Sequence, residues 1–341
     1  MLSVVVGVVP NAAGSSAAPE HDAAALIDAP VNAEARVSAT LDPTLPLDMR
    51  PTPARFEPSP AALEVTVDGV RIPHEVLALS VLPGAVLDVE APADATLRHA
   101  AGSVLQVDAG RWTFTAPDTP GAWALRVEQG GAQVHLNLLV LHPQTAVQGG
   151  SLGGFRIGQY REAPLRGDPA YLPPQGFVEV PAELQGLRVS PHFTLGQFLC
   201  KQPGEPAFLA LSTPLLLKLE AVVGELNRRG IETPGLAVMS GFRTPWYNRA
   251  IGNTTDYSRH LWGDAADVYI DRDGDGDMDD LNGDGRRDLA DARVLAAAVE
   301  AVEQGAETHA HIQPGGLGLY RRNAAHGPFV HVDARGRAAR W

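Results

Sequence analysis

Two short segments of the chain place polar residues where an apolar strand is otherwise written. In AADVYI, residues 265–270, Ala266, Val268 and Ile270 share one face, while Asp267 and Tyr269 share the other. In FVHVD, residues 329–333, Val330 and Val332 share one face, and Phe329, His331 and Asp333 share the opposite one. A carboxylate in an apolar strand needs a partner. His260 lies seven residues before Asp267, across a turn holding Gly263, and a hairpin there would bring the two together. Two imidazoles and one carboxylate are the donor set of an open zinc site, with three protein ligands and one position for water. The same residues also fit a hydrogen-bonded structural cluster, and spacing alone leaves both readings open. Cys200 is the single cysteine, so an intrachain disulfide and a cysteine-rich zinc site are excluded. It reads as a small buried hydrophobe.

A second cation motif follows directly. Residues 271–291, DRDGDGDMDDLNGDGRRDLAD, hold nine Asp and three Arg, so this loop carries about half of the net charge of −13. Asp280, Asn282, Asp284, Gly285, Asp288 and Asp291 fall at positions 1, 3, 5, 6, 9 and 12 of an EF-hand loop. Position 12 is Asp instead of Glu, as in dockerin-type loops. An earlier frame, Asp271, Asp273, Asp275, Gly276, Asp277, Asp279 and Asn282, overlaps the first, which rules out two independent EF-hands. The arrangement resembles thrombospondin type 3 repeats, where neighbouring calcium ions share ligands. Structural Ca2+ is expected on Asp271, Asp273, Asp275, Asp277, Asp280, Asn282, Asp284, Asp288 and Asp291. The alternative is a solvated acidic loop.

These motifs need a scaffold, and 341 residues with 45% hydrophobic and 20% charged residues supply one. The acidic balance argues against a nucleic-acid partner. No apolar run is long enough for a transmembrane segment. Residues 2–9 form a short apolar run followed by small residues, like the later part of a secretory signal peptide without its basic start. The expectation is an extracytoplasmic protein, periplasmic or secreted, with a truncated signal. Residues 1–58 are read as this signal-like run and an Ala/Pro-rich unstructured segment. Residues 59–142 hold short β-type runs separated by Asp68-Gly69, Pro83-Gly84, Ala109-Gly110, Pro120-Gly121 and Gly130-Gly131, which predicts a small immunoglobulin-like β-sandwich. Residues 143–187 read as a linker with short strands. Residues 188–341 read as a mixed domain with the calcium-binding insertion at 271–291. Thr213-Pro214 predicts a helix start, Leu215, Leu219, Val222 and Leu226 repeat at helical spacing, and Gly230 stops it. A second helix is expected from about Leu289 to Gln304, ending at Gly305.

The ordered motifs Ser240-Gly241-Phe242-Arg243, then SRHLWGDAAD at 258–267, then His331-Val332-Asp333 resemble the D-alanyl-D-alanine carboxypeptidase family of zinc metallopeptidases, whose fold the Hedgehog signalling domain shares. SPHFTLGQF, residues 190–198, resembles the opening of bacterial members, and the likeness covers about residues 188–341. The resemblance implies an α+β fold of Hedgehog/DD-peptidase type, with His260, Asp267 and His331 as Zn2+ ligands. It implies that Arg243 polarises the scissile carbonyl or binds the substrate carboxylate, and that Ser258 lies at the substrate site and supports the His260 turn. It further implies a hydrolase acting on peptidoglycan stem peptides of the cell wall, as a carboxypeptidase or an endopeptidase. Family members usually carry a general base just before the last ligand, where this chain has Pro328, Phe329 and Val330. Asp333 is the nearest carboxylate, as general base or as the residue orienting His331. The rival reading is a non-catalytic wall-binding or scaffold protein that keeps the fold. His192, His309, His311 and His326 read as structural or exposed. Trp246, Trp262, Tyr247 and Tyr320 read as core or as walls of a peptide cleft.

Overall fold

In the computed structural model, the described residues are 38–305 and 311–341. The signal-like run, residues 10–37 and His309 lie outside them.

The sequence runs expected as strands in the first part form two five-stranded sheets. One has the order Ala39–Leu41, Thr96–His99, Gly121–Gln129, Ala132–Val140, Val76–Val81. The other has the order Val70–Arg71, Thr66–Val67, Val86–Glu90, Arg111–Thr115, Ser103–Asp108. In the second sheet Val86–Glu90 and Arg111–Thr115 alternate buried and exposed residues, so one face of it enters the core. Trp112, Phe114, Val89, Leu97 and Val127 fill it. Gly130 and Gly131 both have positive φ, 56° and 90°, which closes the long hairpin between Gly121–Gln129 and Ala132–Val140.

Residues 38–58, expected to lack structure, are laid onto this framework. Ala39–Leu41 pairs in parallel with Thr96–His99, Leu45 is buried, and Asp48 is buried between Arg50 and Arg188. Composition did not reveal this because Arg188, the second partner of Asp48, lies 140 residues away. Residues 143–187 contain the expected short strands, but they also support the site instead of only spanning a gap. Tyr160 Oη donates to Leu261 O at 2.7 Å, and Ala170 O and Leu172 O accept from Arg259 and Trp262.

The second part is built on a five-stranded sheet of order Ala237–Ser240, Ala265–Tyr269, Phe329–Asp333, Gly316–Tyr320, Ala339–Arg340. All its pairings are antiparallel except the last. Helix α1, Thr213–Arg228, packs on helix α3, Leu289–Gln304, and α3 covers the strands Gly316–Tyr320 and Phe329–Asp333. Between them in sequence, the short helix α2 spans Pro245–Ala250. Ser212 takes the N-cap position of α1 in place of Thr213, whose hydroxyl donates to Ala78 O at 3.1 Å. Lys218 of α1 is fully buried, donating to Glu303 Oε1 at 2.7 Å and to Asp333 O at 2.6 Å. Burial lowers its pKa, against the opposing pull of Glu303. The architecture is mixed α and β, with several sheets and few helices. The described residues form one compact unit. Among the described residues, no helix is long and apolar enough to cross a membrane.

Candidate metal centre and cleft

Strand register brings the first two residues together. Asp267 lies directly opposite His331 on one side and Ser240 on the other. His260 arrives from a short 3-10 turn, Arg259–Trp262, in place of the expected hairpin. Gly263 ends that turn at φ 68°, and a side chain there would run into the Ala210 carbonyl. The turn is pinned by Arg259, which is buried, pairs with Asp264, donates to Ala170 O at 2.7 Å and lies over the rings of Tyr171 and Trp262 at 4.7 and 5.0 Å.

Three donor atoms converge. His260 Nε2 is 3.2 Å from Asp267 Oδ1 and 3.1 Å from His331 Nδ1, and His331 Nδ1 is 3.0 Å from Asp267 Oδ1. The three residues are 2%, 5% and 5% exposed, too little for water to separate these atoms. The far atom of each is held. His260 Nδ1 donates to Gly241 O at 2.7 Å, His331 Nε2 donates to Asp333 Oδ2 at 3.1 Å, and Arg243 Nη2 donates to Asp267 Oδ2 at 2.7 Å. With those outer protons fixed, each neutral imidazole turns a lone pair inward, towards the other and towards a carboxylate oxygen. Such a triangle repels itself unless a proton or a cation sits within it. Its edges are close to the ~3.3 Å between ligand atoms of a tetrahedral site with bonds of ~2.0–2.1 Å. The donor set therefore fits a divalent cation of zinc type.

The electrostatics agree with that tension. Burial lowers the pKa of His260, and the attraction of Asp267 does not offset it. Burial also acts to lower that of His331, but the protonated ring can donate to both Asp267 and Asp333, which outweighs burial and raises the pKa. Burial alone would raise both carboxyl pKa values. The two histidines instead hold Asp267 far below the ordinary carboxylate range, and His331 with Arg335 does the same for Asp333.

The cluster opens into a cleft of about 400 Å3, lined by Arg243, Tyr257, Ser258, Tyr320, Arg335 and Trp341 among others. Arg243 follows the strand that ends at Ser240, just past Gly241, where a Cβ would lie 2.6 Å from Phe198 Cα. Its Nε donates to Ser240 Oγ at 2.8 Å. Thr244, next in sequence, caps α2 by accepting from Tyr247 N. Ser258 lines the cleft and supports the His260 turn through its carbonyl, which accepts from Leu261 N at 3.0 Å.

Asp333 is not placed as a general base. It is fully buried, accepts from Gly316 N at 2.7 Å, pairs with Arg335 and faces the outer nitrogen of His331. Its geometry is that of a residue orienting the His331 ring. Arg335 itself escaped sequence reading, although an Arg two residues after a buried Asp was the available signal. His192 is buried and structural, with Nδ1 at 2.6 Å from Glu220 Oε2 and Phe56 stacked on its ring. His326 bonds within its own loop, to Asn323 and Gly327 O. Cys200 is buried, as expected. Tyr320 lines the cleft, whereas Trp262 packs behind the turn against Tyr160 and Tyr171.

The acidic loop repeats one hydrogen-bonding unit nine residues apart. Asp271 accepts from the backbone N–H groups of Gly274, Asp275 and Gly276, and Asp280 accepts from those of Gly283, Asp284 and Gly285. Asp273 and Asn282 accept from Asp275 N and Asp284 N in the same way. Asp271, Asp273 and Asp275 each offer an oxygen within 4.8 Å of the others. Arginines share the loop: Arg287 pairs with Asp273 and Asp275, Arg322 with Asp277, and Arg272 with the buried Asp279. Asp288 and Asp291 form the capping box of α3. Asp291, fully buried, also accepts from Leu281 N at 2.7 Å, which ties the loop to the helix.

No family model matches the chain, and no curated protein does. Among solved structures, a nucleoside hydrolase-related hypothetical protein from Saccharophagus degradans, associated with carbohydrate metabolism, aligns at 12% identity. The alignment covers 24% of this chain and 26% of that one, with a TM-score of 0.19, so the chain spans about a quarter of that protein's length. A likeness of this size carries no argument about fold or function.

Proposed function

We propose that this chain is a zinc-dependent peptidase of the Hedgehog/DD-peptidase fold, hydrolysing peptidoglycan stem peptides outside the cytoplasm, with a D-Ala-D-Ala carboxypeptidase as the default type. The observation that carries the reading is the buried triangle of His260 Nε2, Asp267 Oδ1 and His331 Nδ1, with every outer atom already hydrogen-bonded. Zinc held there would polarise a carbonyl and lower the pKa of a water molecule towards ~7. Asp333 and Gly241 O fix which nitrogen of each histidine faces inward. Arg243 holds Asp267 and keeps further N–H donors for a substrate carbonyl or carboxylate in the cleft. Ca2+ on the repeated acidic units would clamp residues 271–291 against α3.

One observation favours the rival, a non-catalytic wall-binding protein. Among the described residues lining the cleft, Asp267 is the sole carboxylate, so no second one stands ready to accept a proton. The test is release of D-alanine or peptide from purified sacculi by protein loaded with zinc and calcium. Release that disappears in Arg243→Ala supports the enzyme. Zinc-loaded protein that binds sacculi and releases nothing supports the rival.

A further inference from the structure

Trp341 is half-exposed, yet it is built into the centre. Its indole lies 5.1 Å from the His331 ring, centroid to centroid, and lines the cleft. Its Nε1 donates to Tyr320 Oη at 2.8 Å, and its backbone pairs with Leu317 and Leu319. Arg335, the partner of Asp333, stands 5.6 Å from the indole centroid.

The space for this ring comes from two glycines. Gly316 and Gly318 share one face of their strand, and Gly318 is paired directly with His331. A Cβ on Gly318 would lie 2.4 Å from Trp341 Nε1, and one on Gly316 would lie 2.9 Å from Trp341 Cη2 and closer still, at 2.3 Å, to Asp333 Oδ2. Side chains at either position would drive the indole off His331. Glycine weakens a strand interior, and here it makes room at Gly318 for the indole and at Gly316 for the Asp333–Arg335 pair and the indole's edge.

We propose that Trp341 is a positioning residue of the metal centre. The indole covers the His331–Asp333 hydrogen bond, keeps water from competing for it, and holds the imidazole at the angle that aims Nδ1 at the other two ligands. This rests on the zinc reading of the cluster and adds to it a residue that is not itself a ligand.

The experiment measures zinc affinity by chelator competition and the cobalt(II) absorption spectrum, neither of which needs peptidase activity. Trp341→Ala is expected to lose about tenfold in zinc affinity and to alter the cobalt bands. Trp341→Phe should restore most of both, because a flat ring remains. Tyr320→Phe, which keeps the fold and removes only the indole's hydrogen bond, should give a smaller loss. Wild-type protein carrying 5-fluorotryptophan should show the Trp341 resonance shift on zinc addition, a readout that survives if the alanine variant does not fold. Wild-type affinity and spectrum in Trp341→Ala, or an unmoved Trp341 resonance in zinc-loaded wild type, would overturn the proposal. Wild-type protein that binds no zinc would instead overturn the zinc reading itself.

Discussion

The strand carrying Asp267 ends at Tyr269, and the acidic loop begins at Asp271, so two candidate cation sites adjoin in sequence. They are built on opposite principles. In the first, His260, Asp267 and His331 are buried on strands and a pinned turn, and their outer atoms are bonded to fixed partners. Folding has already removed water from these donors. In the second, four of the nine aspartates are exposed and three more are half-buried, and backbone N–H groups and arginines already occupy several of their oxygens. A cation entering the loop must compete with those partners and with water. The buried cluster is therefore suited to tight, geometry-selective binding by mixed nitrogen and oxygen donors, and the loop to weaker, all-oxygen binding.

The largest expected effect breaks the buried site outright. Asp267→Ala removes one donor and leaves Arg243 without its carboxylate, so zinc binding should fall below detection in chelator competition. Retained wild-type binding would mean the triangle is only a structural hydrogen-bond cluster. Asp333→Asn removes the charge opposite Arg335 and weakens the hold on His331. Zinc affinity should fall by roughly 10–100-fold. If zinc affinity is unchanged while turnover is lost, Asp333 would be the proton acceptor after all.

Acidity sharpens the contrast. In metal-free protein the raised pKa of His331 contributes stability below its unfolded value of about 6.5, and that stability is lost as pH rises through the folded pKa. Zinc needs the unprotonated imidazole, so its binding strengthens over the same rise. The gap in melting temperature between zinc-loaded and metal-free protein should widen from pH 6 to pH 8, and a constant gap would contradict the assignment of His331 as a ligand. The smallest effect belongs to the loop. Arg287→Ala frees Asp273 and Asp275 from an exposed ion pair of at most ~1 kcal/mol, so calcium affinity should rise no more than about fivefold. Protection of residues 271–291 from proteolysis by added calcium would report it, and equal cleavage with and without calcium would count against any calcium there.

Asp267 and His331 were legible because strand alternation has a period of two, and one polar residue in an apolar strand stands out. The strands of the first part were legible for the same reason, with Gly-containing turns between them. The approach of His260 was not, because the turn depends on Gly263 meeting Ala210 and on Arg259 reaching Asp264, Tyr171 and Trp262. The role of Asp333 was half legible. Alternation set it on the face of His331, but its burial depends also on the Gly316 backbone and on Lys218, which come from other segments. The nine-residue repeat could be read directly, while its neutralisation by Arg287 and Arg322 could not, since the latter lies 45 residues from its partner.

Zinc-edge X-ray absorption on wild-type protein with one equivalent of zinc tests the central claim most directly. The account predicts one zinc per chain, bound by two imidazole nitrogens and a carboxylate oxygen at about 2.0–2.2 Å. That signature should vanish when His260, Asp267 and His331 are all replaced by alanine. A spectrum without imidazole scattering, or a triple variant that keeps the full signature, would contradict it.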